Sequence, residues 1–249
     1  LRRAILFLGA RVIEGHDYTI YSSGPGGRSR VYALLALITA FLTPLAQHAA
    51  LVLLRRYWGD DWDAAETALL FGGFTALILF GTLINLFDGY LWRTRGGRLL
   101  FRTAGLPAPP NLAGEYEGTI EIQPDAISSD LFRTQYRLRI AQTWERVALY
   151  AERESRAGGP VRVHSDMASV RIGMLNGLVV LRFVYTFEET IPRRDGHGVM
   201  SRQFSGAATF EFRRAGTGWA VTGHFFDDIG RSGQLELKQI EPGAARASA

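Results

Sequence analysis

The sequence predicts a two-part protein: an N-terminal two-helix transmembrane hairpin followed by an all-β domain, an eight-stranded antiparallel barrel. Three observations carry that expectation. Two apolar runs, residues 31–54 and 64–92, are each long enough to cross a bilayer, which takes about 20 mostly apolar residues. The stretch LPAPPN at 106–111 then punctuates the chain. Beyond it the composition changes to short strand-like segments separated by glycine-rich turns. The expected parts are a basic, amphipathic N-terminal segment (1–30), the hairpin (31–92), a basic and Pro-rich linker (93–110), the barrel (111–241) and a disordered tail (242–249).

Residues 1–13 surround a short AILFLGA run with Arg2, Arg3 and Arg11 and lack the pattern of a cleavable signal peptide. They read as an amphipathic membrane-surface helix or a disordered tail. The first apolar run contains no Asp, Glu, Lys or Arg, and the second is uncharged over 67–87. Helices of a soluble bundle keep a polar face; these are apolar nearly all round. Ala36, Ala40, Gly72, Gly73 and Gly81 provide small surfaces for close helix approach. Gln47, His48 and Asn85 are polar at depth, where they either bond across the hairpin or serve function. Arg28 and Arg30 precede the first run, and Arg93, Arg95, Arg98 and Arg102 follow the second, while the connecting loop carries Asp60, Asp61, Asp63 and Glu66. Basic residues stay on the cytoplasmic side, so both termini are expected there.

Eight strands are expected at 114–123, 134–144, 146–155, 161–172, 178–187, 202–213, 218–226 and 233–240. Alternation is clearest where Tyr116, Gly118, Ile120 and Ile122 share one face, and Leu138, Ile140, Gln142 and Trp144 another. Closure of such strands removes their exposed edges and leaves an interior for side chains or one small ligand.

No catalytic signature stands out, and the protein reads as a non-enzyme. His164, Ser165 and Asp166 are consecutive, so on a strand they point to opposite faces. No HExxH motif, phosphate-binding loop or dinucleotide fingerprint is present, and the absence of cysteine removes thiolate metal sites. No metal or cofactor is expected. The basic residues are arginine except for Lys238. Arginine suits bidentate phosphate contact, and aromatic rings suit base stacking.

The segments PNLAGEYEGTIEIQ, IAQTWERVALY, FVYTFEETIP, RQFSGAATFEF and VTGHFFDDIGRSGQLELKQI resemble the β-barrel effectors of the bacterial cyclic-oligonucleotide antiphage system, CBASS, over residues 28–240. Gln142-Thr143-Trp144 and the closing strand pair from Gly223 to Gly233 are the most specific pieces. The resemblance implies an inner-membrane protein whose cytoplasmic barrel binds a cyclic dinucleotide made by a partner nucleotidyltransferase (CD-NTase), not a DNA or RNA polymer. It also implies that binding drives homo-oligomerisation, and that the clustered hairpins then disrupt the lipid bilayer and kill the infected cell. In that family the sixth strand often carries a histidine before its glycine; here Phe204, Ser205 and Gly206 stand, and no ligand contact carries over to that position.

The ligand-binding candidates are Tyr116, Gln142, Trp144, Arg182, Tyr185, His224 and Arg231. Trp144 and Tyr185 stack on bases or pack the core, and Gln142 reads a base edge or satisfies backbone. Arg182 and Arg231 hold phosphate or face solvent. Tyr116 lines the mouth or fills it, and His224 contacts ligand or is a structural hydrogen-bonder. A lipocalin-like barrel for an apolar metabolite or lipid is the competing expectation, marked by an aliphatic lining. A barrel that docks another protein is a third, marked by a filled interior and an apolar outer patch.

Overall fold

The computed structural model describes residues 16–20, 27–58, 64–123, 130–154, 160–165, 170–175, 178–192 and 199–240. They fall into a helical unit and a β unit.

In the helical unit, α1 spans Gly27–Trp58 and α2 spans Ala64–Gly89. At 1.5 Å per residue α1 is about 48 Å long. Residues 28–53 of α1 are long and apolar enough to cross a membrane; 73–89 form a shorter apolar stretch. Leu37, Phe41 and Leu45 on α1 and Phe74, Leu77 and Ile78 on α2 are exposed, while Val31, Leu35 and Phe87 are buried. Pro44 lies inside α1, and Thr39 and Thr43 each donate a hydroxyl hydrogen bond of 2.8 Å to the carbonyl one turn back. Asn85 donates to the Gly81 carbonyl of its own helix at 2.9 Å rather than across the pair. His48 is exposed and Gln47 half-buried. Part of the expected linker is helical: a 3-10 turn at Leu91–Arg93 leads into α3, Arg95–Thr103.

The β unit contains β1 (His16–Ile20), β2 (Gly114–Ile122), β3 (Phe132–Gln142), β4 (Arg146–Glu154), β5 (Pro160–Ser165), β6 (Val170–Leu175), β7 (Leu178–Pro192), β8 (Val199–Ala215), β9 (Gly218–Asp227) and β10 (Ser232–Gln239). Strands β2 to β10 pair antiparallel throughout. β7 pairs with β5 and β6 along one edge and with β8 along the other.

Two differences from the sequence reading share one cause. The strand expected at 161–172 is two strands, and residues 16–20 form a strand where no β structure was expected. β5 meets β7 up to the pair Ser165 and Tyr185, and β6 resumes at Arg171 opposite Arg182. Five residues of sequence separate Ser165 from Arg171, but two separate their partners Tyr185 and Arg182, an excess of three. An odd excess reverses which face each residue takes, and Val161 and Ile172, of opposite parity, are both buried. At that interruption β1 enters, parallel to β6 and antiparallel to the start of β4. Its partners are more than 120 residues away in sequence, beyond the reach of any local pattern.

Alternate residues build one hydrophobic cluster that includes Leu112, Ile120, Leu138, Leu149, Phe183, Phe210, Phe212 and Leu235. The opposite face is charged. In register, Lys238 neighbours Glu117, then Arg137, Glu152, Arg162 and Glu188, signs alternating across six strands. Arg137 lies 2.6 Å from Glu117, and this contact raises its pKa. Exposed pairs stabilise little, about 0–1 kcal/mol each, so the row discriminates between registers more than it holds the fold. One face of the sheet is thus apolar and the other charged.

Candidate functional site

The two ends of the β unit are built differently. At the end where residues 110–112 join β2, polar side chains secure the backbone. Gln142, at the end of β3, accepts from the Leu112 amide at 2.8 Å and donates to the Pro110 carbonyl at 3.0 Å. The Tyr116 hydroxyl donates to the Leu112 carbonyl at 2.7 Å, and the Trp219 indole donates to the Asn111 carbonyl at 2.9 Å. Tyr116 is fully buried, edge-on to Phe212, and burial pushes its phenol pKa well up. Trp144 is also buried here, just past β3.

At the far end, β9 turns into β10 through Gly230, whose φ of 83° favours glycine. Asp227, before the turn, accepts from the Arg231 amide at 2.8 Å and the Ile229 amide at 3.3 Å through Oδ1, and from Arg231 Nε at 3.0 Å through Oδ2. The side chains are 2% and 13% exposed, so this is a buried ion pair. The Arg231 guanidinium lies 5.0 Å from the Phe187 ring centre and 5.3 Å from that of Phe204, and these two rings stack at 5.1 Å. Tyr185 donates to the Phe226 carbonyl at 3.3 Å. Desolvation, reinforced by the Asp227 charge, raises the Tyr185 pKa. Gly206 faces Tyr185 across β7 and β8, and a Cβ there would meet the phenol ring at 2.5 Å.

Tyr185, Phe187, Asp227 and Arg231 border a cavity of about 30 Å³ that Tyr136, Arg153 and Phe225 also line. That holds about one water. The buried Tyr136 phenol has its pKa raised by desolvation.

Of the seven candidates, the structure brings Tyr185 and Arg231 together at this cavity. Tyr116, Gln142 and Trp144 lie at the linker end. Arg182 and His224 are exposed on the outer face, Arg182 between Arg171 and Thr209 in register and His224 between Thr209 and Gln234. Asp227, Phe187, Phe204 and Arg153 are the groups sequence reasoning passed over. Asp227 had a usable signal: a carboxylate four residues before an arginine, across a glycine turn. No group of three or more metal-ligating side chains occurs among the described residues. In comparisons with known proteins, no family model and no curated protein matches the chain.

Proposed function

We propose that the chain is a two-span membrane protein whose β unit, closed as an eight-stranded barrel with β5 and β6 as one interrupted stave, receives a cyclic dinucleotide at its far end. The observation that carries this reading is Arg231, a cation held by Asp227 against the stacked rings of Phe187 and Phe204. A guanidinium suits phosphate and flat rings suit bases. The resemblance to CBASS effectors points the same way, to a bacterial inner-membrane effector that oligomerises on binding and disrupts the bilayer.

Two features support the membrane part. Among the described residues, large apolar side chains are exposed on α1 from Leu37 to Tyr57 and on α2 from Phe74 to Leu86. In addition, β1 precedes α1 and β2 follows α3, yet both belong to one sheet. A chain whose flanks share a sheet crosses a bilayer an even number of times, so if α1 spans, α2 spans too. The flanking arginines favour the cytoplasm for that shared side.

The cavity is far smaller than the several hundred Å³ of a ligand pocket, so the ligand enters by parting Phe204 from Phe187 at the rim. A ligand that binds the parted state better shifts the protein toward it, which provides a route from binding to assembly. An interior bordered by Arg153, Asp227 and Arg231 disfavours a store for apolar lipid. Protein docking is the second reading, favoured by the filled interior and by exposed Phe226 and Ile229 at the same end.

The test is calorimetric binding of cyclic di- and trinucleotides to the full chain in nanodiscs. One member is expected to bind saturably, with affinity reduced at least ten-fold by Arg231→Met and unchanged by Arg182→Ala. Absence of binding across the panel by folded protein would leave the docking reading.

A further inference from the structure

We infer that α3 is an interfacial helix whose exposed face binds the headgroups of anionic phospholipids. The inference rests on the membrane reading and adds a lipid class to it.

Arg95, Arg98, Leu99 and Arg102 are all exposed, and their spacing of i, i+3, i+4 and i+7 puts them on one helix face. The opposite face is fixed. Gly97 and Phe101 are buried, and the Phe101 ring lies 5.7 Å from that of Phe87 at the end of α2. A Cβ on Gly97 would meet the Leu91 carbonyl at 2.2 Å and Trp92 Cα at 2.6 Å, so glycine lets α3 sit flush on the 3-10 turn. Thr94 accepts from the Gly97 amide at 3.2 Å and caps the helix.

With one face bolted to the end of α2, the arginine face has a defined direction. Among the described residues none of Arg95, Arg98 and Arg102 makes an ion pair. No Asp or Glu occurs from residue 89 to residue 114. Two exposed apolar side chains, Tyr90 at 68% and Leu99 at 64%, accompany the cations. Guanidiniums with an aromatic and a leucine, a few residues from where an apolar helix stops, match the headgroup zone of an anionic leaflet. Arginine binds phosphodiester oxygens in bidentate fashion.

The chain has no cysteine, so single labels report alone. Spin labels at Leu99→Cys and, separately, Leu37→Cys on α1 would be read for depth by power saturation. The full chain is reconstituted in vesicles of phosphatidylcholine alone and in vesicles with one-third phosphatidylglycerol. The Leu99 label is expected at headgroup depth with phosphatidylglycerol and in water without it. The triple variant Arg95→Gln, Arg98→Gln, Arg102→Gln is expected to return it to water and to lower phosphatidylglycerol retention in native mass spectrometry by about a hundred-fold, at about five-fold per arginine. A Leu37 label in the bilayer with a Leu99 label in water in both vesicles overturns the inference, keeps the membrane reading and leaves the arginine face to an acidic protein. Equal depth in both vesicles overturns the anionic preference. Both labels in water would remove the membrane reading itself.

Discussion

The two ends of the β unit use the same kinds of side chain for opposite purposes. Near the linker, Gln142, Tyr116 and Trp219 spend their hydrogen bonds on the backbone of residues 110–112. These bonds brace the chain where it enters β2, so the three side chains act as an anchor. At the far end, Asp227 and Arg231 form a buried pair that, with Tyr185 and Phe187, borders an unfilled space. An aromatic or amide residue on a strand therefore says little about function by itself; the far end differs in placing a paired guanidinium and carboxylate beside a cavity.

The comparison breaks most visibly at Asp227. Asp227→Ala removes the acceptor for two amides and leaves Arg231 buried without its partner, which costs about 3–5 kcal/mol. Chemical denaturation of the full chain should show the β unit losing that much stability. A loss under about 1 kcal/mol would mean the far end is solvated and loosely held. Gln142→Ala tests the other end. It strips the Leu112 amide and the Pro110 carbonyl of partners in a buried place, at about 1–3 kcal/mol for each group left unsatisfied, and should leave ligand affinity untouched. If affinity fell along with stability, the division between the ends would not hold.

A pH titration sharpens the comparison because both ends hold buried phenols. Tyr116, Tyr136 and Tyr185 all have pKa values raised above the ordinary 10.0, chiefly by desolvation. The folded protein thus keeps these protons after the unfolded chain has released them. Stability is unaffected below pH 10 and falls as pH rises past it, by up to about 1.4 kcal/mol per pH unit for each phenol. Tyr136→Phe should reduce that slope, and an unchanged slope would show the ring is wet.

Much of this arrangement was legible in the sequence. The long helix could be read because residues 31–54 lack charge, and seven of the strands because inward residues alternate through them. β1 could not, because HDYTI is an unremarkable pentapeptide whose partners lie far along the chain. The split between β5 and β6 depends on three surplus residues that only the partner strand reveals. For the site, alternation held more information than the residue types did. Phe183, Tyr185 and Phe187 turn inward on β7, which already sets Arg182 outward; Trp219, Val221, Phe225 and Asp227 do the same for His224 on β9. Arg231 follows a turn rather than sitting within a strand, and no period applies to it.

That reasoning yields the smallest expected effect. Arg182→Ala and His224→Ala alter exposed positions on the outer face, where substitutions away from special features change stability by about 0.5 kcal/mol or less. Neither borders the cavity, so neither should alter the affinity measured for a cyclic dinucleotide, while Arg231→Met reduces it at least ten-fold. The pair Arg182 and Arg231 is the informative one, because both are arginines in the same unit and differ in which way they face. Arg182 sits opposite Arg171 in register, so neutralising it also removes a like-charge neighbour, and a slight gain in stability fits the geometry. Should Arg182→Ala weaken ligand binding as much as Arg231→Met, the ligand would lie across the outer face of β6, β7 and β8, and the far-end cavity would be packing rather than a site.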